Sequence, residues 1–265
     1  IGHKNVNEIT KFDIEQILKH MISKGLKPGT VDRIRQTISA IFNIGIYHEK
    51  CKENPASISR NVKVSIMRRN KKNKNNDRER YISKSEAEQM LHELRLRDET
   101  VYLMALMALT TGARAGEILS IKFKDIDYYS GFITLDNTKN GYSRKIKMTP
   151  EVHKLIEARH QDKANQYLFK TKNNTKLDKI PQTYFTVVEK LFNKDLETSD
   201  SKNRVVFHTL RHTFASWLAL DGVPIFTIQK LMGHKDINMT MRYAKLSPDA
   251  GVEAVMNIER SLVGG

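Results

Sequence analysis

The last third of the chain contains the residue types needed to break a phosphodiester bond with a protein hydroxyl and no metal ion. The stretches HTLRHTFAS and LMGHKDINMTMRYAK hold His208, Arg211, His234 and Tyr243. A tyrosine can attack phosphorus when cationic groups hold the phosphate oxygens and proton donors serve the oxygens that change partners. Taken singly, each of these side chains is better explained as structural. The hypothesis therefore depends on the groups that the rest of the chain supplies.

A further cation comes from the segment TTGARAGEILSIKFKDID, residues 110–127. Arg114 follows Gly112, a predicted helix cap, and stands at the start of the next helix. A guanidinium beside exposed backbone N–H groups is a good cradle for phosphate. Glu117 lies one turn further on and could hold Arg114 in position. An ordinary surface ion pair at i, i+3 spacing would give the same pattern, and for this motif alone it is the better explanation.

Lys139 is a candidate for delivering a proton to a leaving oxygen. It precedes Asn140-Gly141, a strong signal for a β-hairpin turn, and the tip of a hairpin can reach into a groove. Lysines on hairpins are common and are usually only solvated. Lys145 and Lys147 on the returning strand are rival candidates, so the hairpin alone is a weak indication.

The spacing around His208 places it on one face with Arg211, at i, i+3 of a helix start. His212 is expected to lie further round the helix and not to converge with them. His208, His212 and His234 could also be interpreted as zinc ligands. Because the motif has no neighbouring carboxylate, no metal site is expected.

The elements around these residues predict a mainly α-helical fold with a small antiparallel β-sheet. In the first 64 residues, apolar side chains recur at helical spacing, and Thr30 is a plausible N-cap of a second helix. The predicted apolar face of that helix consists of Val31, Ile34, Ile38, Ile41 and Phe42.

A second, larger helical region begins near residue 81. Ser83 and Glu86 form a capping-box pattern, and an apolar helix over 99–111 ends at Gly112. Predicted strands cover 132–135, 144–147 and, as a third candidate, 167–169. Further helices are predicted at 116–121, 181–193, 209–220, 224–232 and in a short stretch that leads to Tyr243.

The charge of the chain favours a polyanionic partner. Lys and Arg number 45 against 30 Asp and Glu, a formal net charge of +15. A basic protein attracts nucleic acid and releases its counterions. The segment RRNKKNKNNDRER, residues 68–80, has no apolar residue and should be a solvated linker. It is either a spacer or a strap across a phosphate backbone, with DNA contacts from Arg68, Arg69, Lys71, Lys72 and Lys74.

Cysteine usage and hydropathy favour a cytoplasmic protein. Cys51 is the only cysteine, which excludes an intramolecular disulfide and a cysteine-rich zinc site and favours a reducing compartment. The longest apolar run, residues 101–109, is about half of what a bilayer crossing needs. No signal peptide is visible. Because the first residue is Ile1, we expect a fragment of a longer protein.

The ordered motifs resemble the tyrosine recombinase (phage integrase) family. The matching positions, in the family's order, are Arg114 in TGARAGE, Lys139 at a turn, His208 and Arg211 in H-x-x-R, His234 after glycine, and Tyr243. The resemblance covers nearly the whole chain. It implies a helical core-binding DNA-binding domain at 1–66, truncated at its N-terminus, a basic linker at 67–80 and a catalytic domain at 81–265, the latter with the fold of DNA breaking-rejoining enzymes.

The resemblance also implies a mechanism of cleavage. Tyr243 Oη would attack the scissile phosphate and leave a 3′-phosphotyrosyl link and a free 5′-hydroxyl. Arg114 and Arg211 would bind the nonbridging oxygens and stabilise the pentavalent transition state. Lys139 is the candidate general acid for the leaving 5′-oxygen.

The remaining site residues would assist this chemistry. His208 would help proton transfer from the tyrosine, and His234 would donate to a nonbridging oxygen. Glu117 would orient the basic cluster from behind. Since the covalent link retains the energy of the broken phosphodiester, the resemblance implies no metal, no ATP and no other cofactor.

These features together predict a site-specific DNA recombinase, the integrase of a mobile element or phage. Its expected partner is double-stranded DNA at specific recombination sites, bound as a homodimer on one site and as a homotetramer in the synaptic complex. An accessory directionality factor and a nucleoid-associated location are further expectations. The alternatives are a chromosome-dimer resolution recombinase of the same family, a type IB topoisomerase-like enzyme and a non-catalytic DNA-binding regulator.

Overall fold

A computed structural model of the 265-residue chain describes residues 4–57, 80–137, 142–160, 163–197 and 200–248, with positions 259 and 262 beyond them. The chain divides into two compact units, Ile1–Asp77 and Arg78–Gly265. Of the basic segment that was predicted to be a linker, residues 67–79 lie outside the described residues, whereas Arg80 is described and donates from Nη2 to Glu86 Oε1 at 2.5 Å.

The first unit is built on two helices, α1 at Lys11–Ser23 and α2 at Pro28–Tyr47, preceded by a 3₁₀ turn at Val6–Glu8. Thr10 caps α1: its hydroxyl accepts from the Asp13 N–H, and the Asp13 carboxylate accepts from the Thr10 N–H. The two helices enclose a small apolar core of Ile14, Leu18, Val31, Phe42, Cys51 and Ala56.

Two details of the predicted second helix were wrong. It begins at Pro28 with Lys27 as its N-cap, not at Thr30, because proline suits the first helical position, where no N–H partner is needed. Ile41 is 62% exposed and does not share the buried face of Val31 and Phe42. At 3.6 residues per turn, Ile41 lies about 80° around the helix from Val31.

The second unit is mainly helical. Its helices over residues 80–248 are α3 (Lys84–Arg97), α4 (Glu99–Thr111), α5 (Ala115–Ser120), α6 (Pro150–Glu157), α7 (Gln182–Val188), α8 (Phe207–Leu220), α9 (Ile225–Met232) and α10 (Asn238–Met241). Helix α7 continues into a π-helical turn at Glu189–Asn193, and 3₁₀ turns occur at Phe123–Asp125 and Ala244–Leu246.

A small antiparallel sheet completes the predicted fold class, which is confirmed. Its order is β1 (Ile126–Asp127), β2 (Phe132–Asn137) and β3 (Tyr142–Lys147). The predicted third strand at 167–169 was wrong: Tyr167 forms only an isolated bridge, and the next two residues are buried loop. A run of three apolar residues does not distinguish a strand from a loop that covers the core.

Helix α4 lies in the middle of the large core and packs against α3 and α8. It is apolar around its whole circumference, as expected of a helix surrounded by protein. The start of the unit is fixed to α8 by two hydrogen bonds, from Trp217 Nε1 to the carbonyl of Ile82 and from the Ile82 N–H to Thr213 Oγ1. Helix α8, which carries the H-x-x-R motif, is therefore held along its length.

The local signals for helix ends were correct. Ser83 and Glu86 form the capping box of α3, and Gly112 and Gly233 end α4 and α9 in the left-handed conformation, with φ of 64° and 62°. Arg114 and His234 each stand just beyond one of these glycines. No helix among the described residues is long and apolar enough to cross a membrane.

Candidate active site

Arg211 is the buried centre of the site. It extends from α8, is 2% exposed, and donates from Nη1 to the carbonyl of Gly112 and from Nη2 to the carbonyl of Met232. Burial, and then the charges of Arg114 and Arg144, lower the pKa of Arg211 to about 9, while Glu117 opposes the shift. The guanidinium thus stays protonated at neutral pH.

Glu117 is shared by several arginines. Its Oε1 accepts from Arg114 Nη1 at 2.9 Å and from Arg144 Nη1 at 2.8 Å, and its Oε2 accepts from Arg144 Nη2 at 3.0 Å. Arg211 Nη1 lies 4.0 Å from Oε2. The carboxylate side chain is only 9% exposed, so this is not the ordinary surface ion pair that its spacing from Arg114 suggested. We call Arg114, Glu117, Arg144 and Arg211 the arginine cluster.

The acid at the centre of this cluster is held ionised. Burial alone would raise the pKa of Glu117, but the hydrogen bonds from Arg144 and from the Arg114 backbone N–H, together with both charges, lower it to about 2. Arg114 stands at the N-cap of α5, and 34% of its side chain is exposed. It can therefore face a ligand while Glu117 holds it from behind.

Arg144 was missed by the sequence reasoning, which placed it in a strand without a role. Strand residues alternate between faces, and Arg144 shares its face with the buried Ile146. Lys145 and Lys147, the rivals of Lys139, therefore lie on the opposite face from Arg144. Lys147 donates to the carbonyl of Ser130 at 2.6 Å. Lys139 itself lies outside the described residues.

His234 follows the left-handed Gly233 and is fixed by Thr240. Its Nδ1 lies 2.9 Å from Thr240 Oγ1, and Thr240 is fully buried. Burial, and then the charges of Arg211, Arg114 and Arg144, lower the pKa of His234 to about 4. The ring is therefore neutral at pH 7.

His212 lies in the site, contrary to expectation. Its Nδ1 hydrogen-bonds Tyr243 Oη at 2.5 Å, and its ring meets that of His208 edge-on at 4.7 Å between centroids. The expectation was wrong because His208 and His212 are four residues apart and so lie one above the other on α8. The i, i+4 spacing in the sequence already carried this signal. We call His212, His234, Thr240 and Tyr243 the tyrosine cluster.

Tyr243 is almost completely enclosed, with 4% of its surface exposed. It packs in a small apolar group with Ala215, Ala219, Ile228 and Met232. Burial raises the pKa of its hydroxyl, while the charges of Arg242 and Arg211 lower it in part. The hydroxyl is protonated at neutral pH and lies within the electrostatic influence of Arg211.

The second unit thus brings together most of the residues that were singled out in the sequence. Arg114, Arg211, His234 and Tyr243 converge, with Glu117 among the arginines and His208 against His212. Within the described ranges, the three histidines do not belong to a group that could hold a metal ion. Lys139 and the cationic residues of 68–74 lie outside the described part.

The family comparisons match both units. The model of the phage integrase family matches residues 80–249, and that of the phage integrase central domain matches residues 1–62. A tyrosine recombinase XerA of Saccharolobus solfataricus is 36% identical over 148 residues, 56% of this chain and 46% of the relative. A shufflon-specific DNA recombinase of Escherichia coli is 26% identical over 255 residues, 93% of this chain and 60% of the relative. The chain thus spans about half the length of these relatives.

Solved structures show the same fold. The Tn1549 transposon integrase, in complex with a circular intermediate DNA, superposes with a TM-score of 0.66 at 20% identity, over 95% of this chain and 86% of that one. A lambda integrase dimer bound to a COC′ core site gives 0.61 at 18% identity, over 94% and 83%. The family model covers well over half of the chain. The chain belongs to the phage integrase family of tyrosine recombinases.

Proposed function

We propose that this chain is a site-specific DNA recombinase that cleaves and rejoins double-stranded DNA through a 3′-phosphotyrosyl intermediate, as the integrase of a mobile element or phage. The observation that carries the proposal is one electrostatically coupled site: the charge of Arg211 acts on the buried Tyr243 hydroxyl, and the charges of Arg211 and Arg114 act on His234. A relative is a phage P2 integrase, and the Tn1549 structure is of a transposon integrase on DNA.

The arginines supply the electrostatic part of the reaction. Arg114 and Arg211 bind the nonbridging oxygens of the scissile phosphate and stabilise the charge of the transition state. His234, neutral and fixed by Thr240, donates a hydrogen bond to one of these oxygens from Nε2. Glu117 keeps the guanidinium groups together without neutralising them, since two of them contact one carboxylate.

The covalent step transfers phosphorus from one oxygen to another. Tyr243 Oη forms a bond to phosphorus as the bond to the 5′-oxygen breaks, and the leaving oxygen takes a proton from Lys139, our proposed general acid. His208 assists removal of the proton from Oη. Attack by the 5′-hydroxyl of a partner strand on the phosphotyrosine reverses the step and joins the new strands.

The division of the chain supports a corresponding division of labour. In our proposal, residues 1–66 form a core-binding domain, 67–80 a basic linker and 81–265 the catalytic domain. The linker contacts phosphates through Arg68, Arg69, Lys71, Lys72 and Lys74. The chain acts as a homodimer on one site and as a homotetramer when two sites meet, with an accessory factor setting direction, on the nucleoid in the cytoplasm.

The covalent adduct is the direct test. A nicked suicide duplex that carries candidate element ends should trap the chain as a protein–DNA adduct in a denaturing gel. Tyr243→Phe should bind the duplex but form no adduct, because it lacks the attacking hydroxyl. Tyr129→Phe, at a fully exposed tyrosine, should form as much adduct as the unchanged chain. Normal adduct from Tyr243→Phe would overturn the proposal.

Adduct formation, plasmid relaxation and the mapped cleavage positions together separate the alternatives. A non-catalytic regulator forms no adduct, and a type IB topoisomerase relaxes supercoiled plasmids of any sequence as a monomer. A chromosome-dimer resolvase forms the same adduct, but its cleavage positions map to a chromosomal site instead of to element ends. Mapping the trapped positions therefore separates the recombinase classes.

The linker is tested through salt dependence. Replacing Arg68, Arg69, Lys71, Lys72 and Lys74 by glutamine should weaken binding to specific and unrelated duplexes by similar factors. Each lost phosphate contact should also reduce the slope of log K against log salt by about 1. An unchanged slope would show that the segment is a spacer.

A further inference from the structure

His212 is a part of the site that the proposed mechanism leaves without a role. It is the hydrogen-bond partner of the nucleophile, with Nδ1 at 2.5 Å from Tyr243 Oη. Its ring is half-buried on α8 and rests against the ring of His208. The Tyr243 side chain also packs in an apolar group that includes Ala215 and Met232. Among the described residues, the hydrogen bond to His212 is therefore the contact that orients the phenol O–H.

The ring of His212 is suited to this contact at neutral pH. Burial, and then the charges of His208, Arg242, Arg211 and His234, lower the pKa of His212 to about 3. A neutral imidazole has one nitrogen that accepts a hydrogen bond, whereas an imidazolium only donates. Nδ1 can therefore accept the O–H of Tyr243, and the oxygen lone pairs remain directed away from His212.

We propose that His212 is a positioning residue for cleavage: its Nδ1 accepts the Tyr243 hydroxyl and fixes the nucleophilic oxygen for attack on the scissile phosphate. This inference rests on the proposed function. His212 keeps the tyrosine side chain in one rotamer before DNA is bound, so the cost of ordering it is not added to the barrier. His208, one turn earlier on α8, is exposed, whereas His212 is not.

The atomic position of the acceptor provides a sharp test. An asparagine amide oxygen can occupy the place of histidine Nδ1, whereas a glutamine places its amide near Nε2. His212→Asn should therefore keep the contact with Tyr243, and His212→Gln should lose it. His212→Phe fills the ring's space without any acceptor. If His212 only fills space, His212→Phe should be the fastest of the three variants in adduct formation. If His212 positions Tyr243, His212→Asn should be the fastest.

The measurement is the single-turnover rate of adduct formation on the nicked duplex, with the full 265-residue chain and saturating protein. His212→Phe and His212→Gln should lose about 30-fold in rate, the size expected for a misplaced reacting group. His212→Asn should stay within about threefold of the unchanged chain. DNA affinity should be unchanged in all variants, because the contact acts on the rate and not on binding.

A spectroscopic readout follows the contact itself. With tyrosine labelled at ¹³Cζ, the resonance that disappears in Tyr243→Phe should shift in His212→Phe and His212→Gln and stay near its original position in His212→Asn. The same substitutions at His92, an exposed histidine on α3, serve as the matched control and should not move it. If His212→Phe fails to fold, the comparison of the asparagine and glutamine variants still decides.

Several outcomes overturn the inference. They are a normal or faster rate in His212→Phe, equal rates in the asparagine and glutamine variants, or a Tyr243 resonance that stays in place in His212→Phe and His212→Gln. Failure of the proposed function looks different, since then the unchanged chain forms no adduct at all. If the unchanged chain and the His212 variants formed adduct equally well, the proposed function would stand and only the role of His212 would be contradicted.

Discussion

The arginine cluster and the tyrosine cluster lie in one site but are stabilised in opposite ways. In the arginine cluster, one ionised carboxylate bridges Arg114 and Arg144 and approaches Arg211. In the tyrosine cluster, burial keeps both histidines neutral, and neutral hydrogen bonds join them to hydroxyl groups. The cationic half that would bind phosphate therefore depends on charge balance. The half that would attack phosphorus depends on the exclusion of charge.

The largest expected effect comes from removing the shared carboxylate. Glu117→Gln should lower the free energy of unfolding by about 3 kcal/mol, because it leaves arginine charges together in a partly buried place. Urea denaturation measures the change, and adduct formation should fall with it. Glu93→Gln, which breaks the exposed pair with Arg97, is the control and should cost less than about 1 kcal/mol. Equal losses would mean that the arginine cluster contributes no more than a surface pair.

The next effect comes from the glycine between the two clusters. A Cβ on Gly233 would lie 2.9 Å from Arg144 Cδ, and φ there is 62°. Gly233→Ala should therefore cost about 2 kcal/mol and also displace Arg144. Gly222→Ala has a similar φ of 76° but an open surrounding, so it should cost about 1 kcal/mol, the left-handed strain alone. Only Gly233→Ala should slow adduct formation. Slower adduct formation by Gly222→Ala would contradict the explanation that displacement of Arg144 causes the effect.

A smaller effect is expected within the tyrosine cluster. Thr240→Val keeps the shape of a fully buried side chain but removes the hydroxyl that meets His234 Nδ1. The loss of this hydrogen bond should lower the free energy of unfolding by about 1.5 kcal/mol and slow adduct formation several-fold. Thr186→Val removes an exposed hydroxyl on α7 and should be neutral in both measurements. If Thr240→Val changed neither the free energy of unfolding nor adduct formation, the hydrogen bond from Thr240 on α10 would not be what holds His234 in place.

The smallest expected effect is a pH dependence of stability that distinguishes the two clusters. The folded pKa of His212 is about 3, well below its ordinary 6.5, so the unfolded chain takes up a proton first as pH falls below 6.5. Stability should therefore drop by about 1 kcal/mol between pH 7 and pH 5.5 from this residue. Glu117, with its lowered pKa of about 2, contributes fully above pH 4.5 and loses its contribution only below that.

Urea denaturation at the two pH values provides the measurement. His212→Asn should show a smaller drop than the unchanged chain, since asparagine does not titrate, and Glu117→Gln should show the same drop. A pH dependence that Glu117→Gln removes and His212→Asn keeps would reverse the assignment of the two clusters.

Much of the fold was predictable because its signals are local. A capping box, a left-handed glycine after an apolar run and a proline at a helix start act within a few residues, and Ser83, Gly112 and Gly233 behave accordingly. Sheet pairing was also predictable from the two strand candidates around a turn signal. The order of the motifs then indicated the candidate catalytic residues more strongly than any one of them.

The two residues that were missed teach different lessons. Arg144 meets Glu117 across 27 positions of sequence, and no local pattern indicates which carboxylate a strand arginine will meet. His212 was within reach, because a spacing of four residues from His208 already placed both rings on one face of α8. Long-range pairing had to come from the structure, whereas the position of His212 required only consistent use of helical geometry.

The hydrogen bonds of Arg211 have a consequence for how inactive protein should be made. Its guanidinium satisfies carbonyl groups at the ends of α4 and α9, so one side chain serves as a common cap for two helices. A substitution at 211 would leave those carbonyls buried without a donor and would loosen the frame that carries Gly112, Met232 and their neighbours. Loss of cleavage in such a variant would mix chemistry with folding. To test the proposed homotetramer with mixed active and inactive subunits, the inactive subunit is better made at the tyrosine hydroxyl, whose removal leaves both helix ends capped.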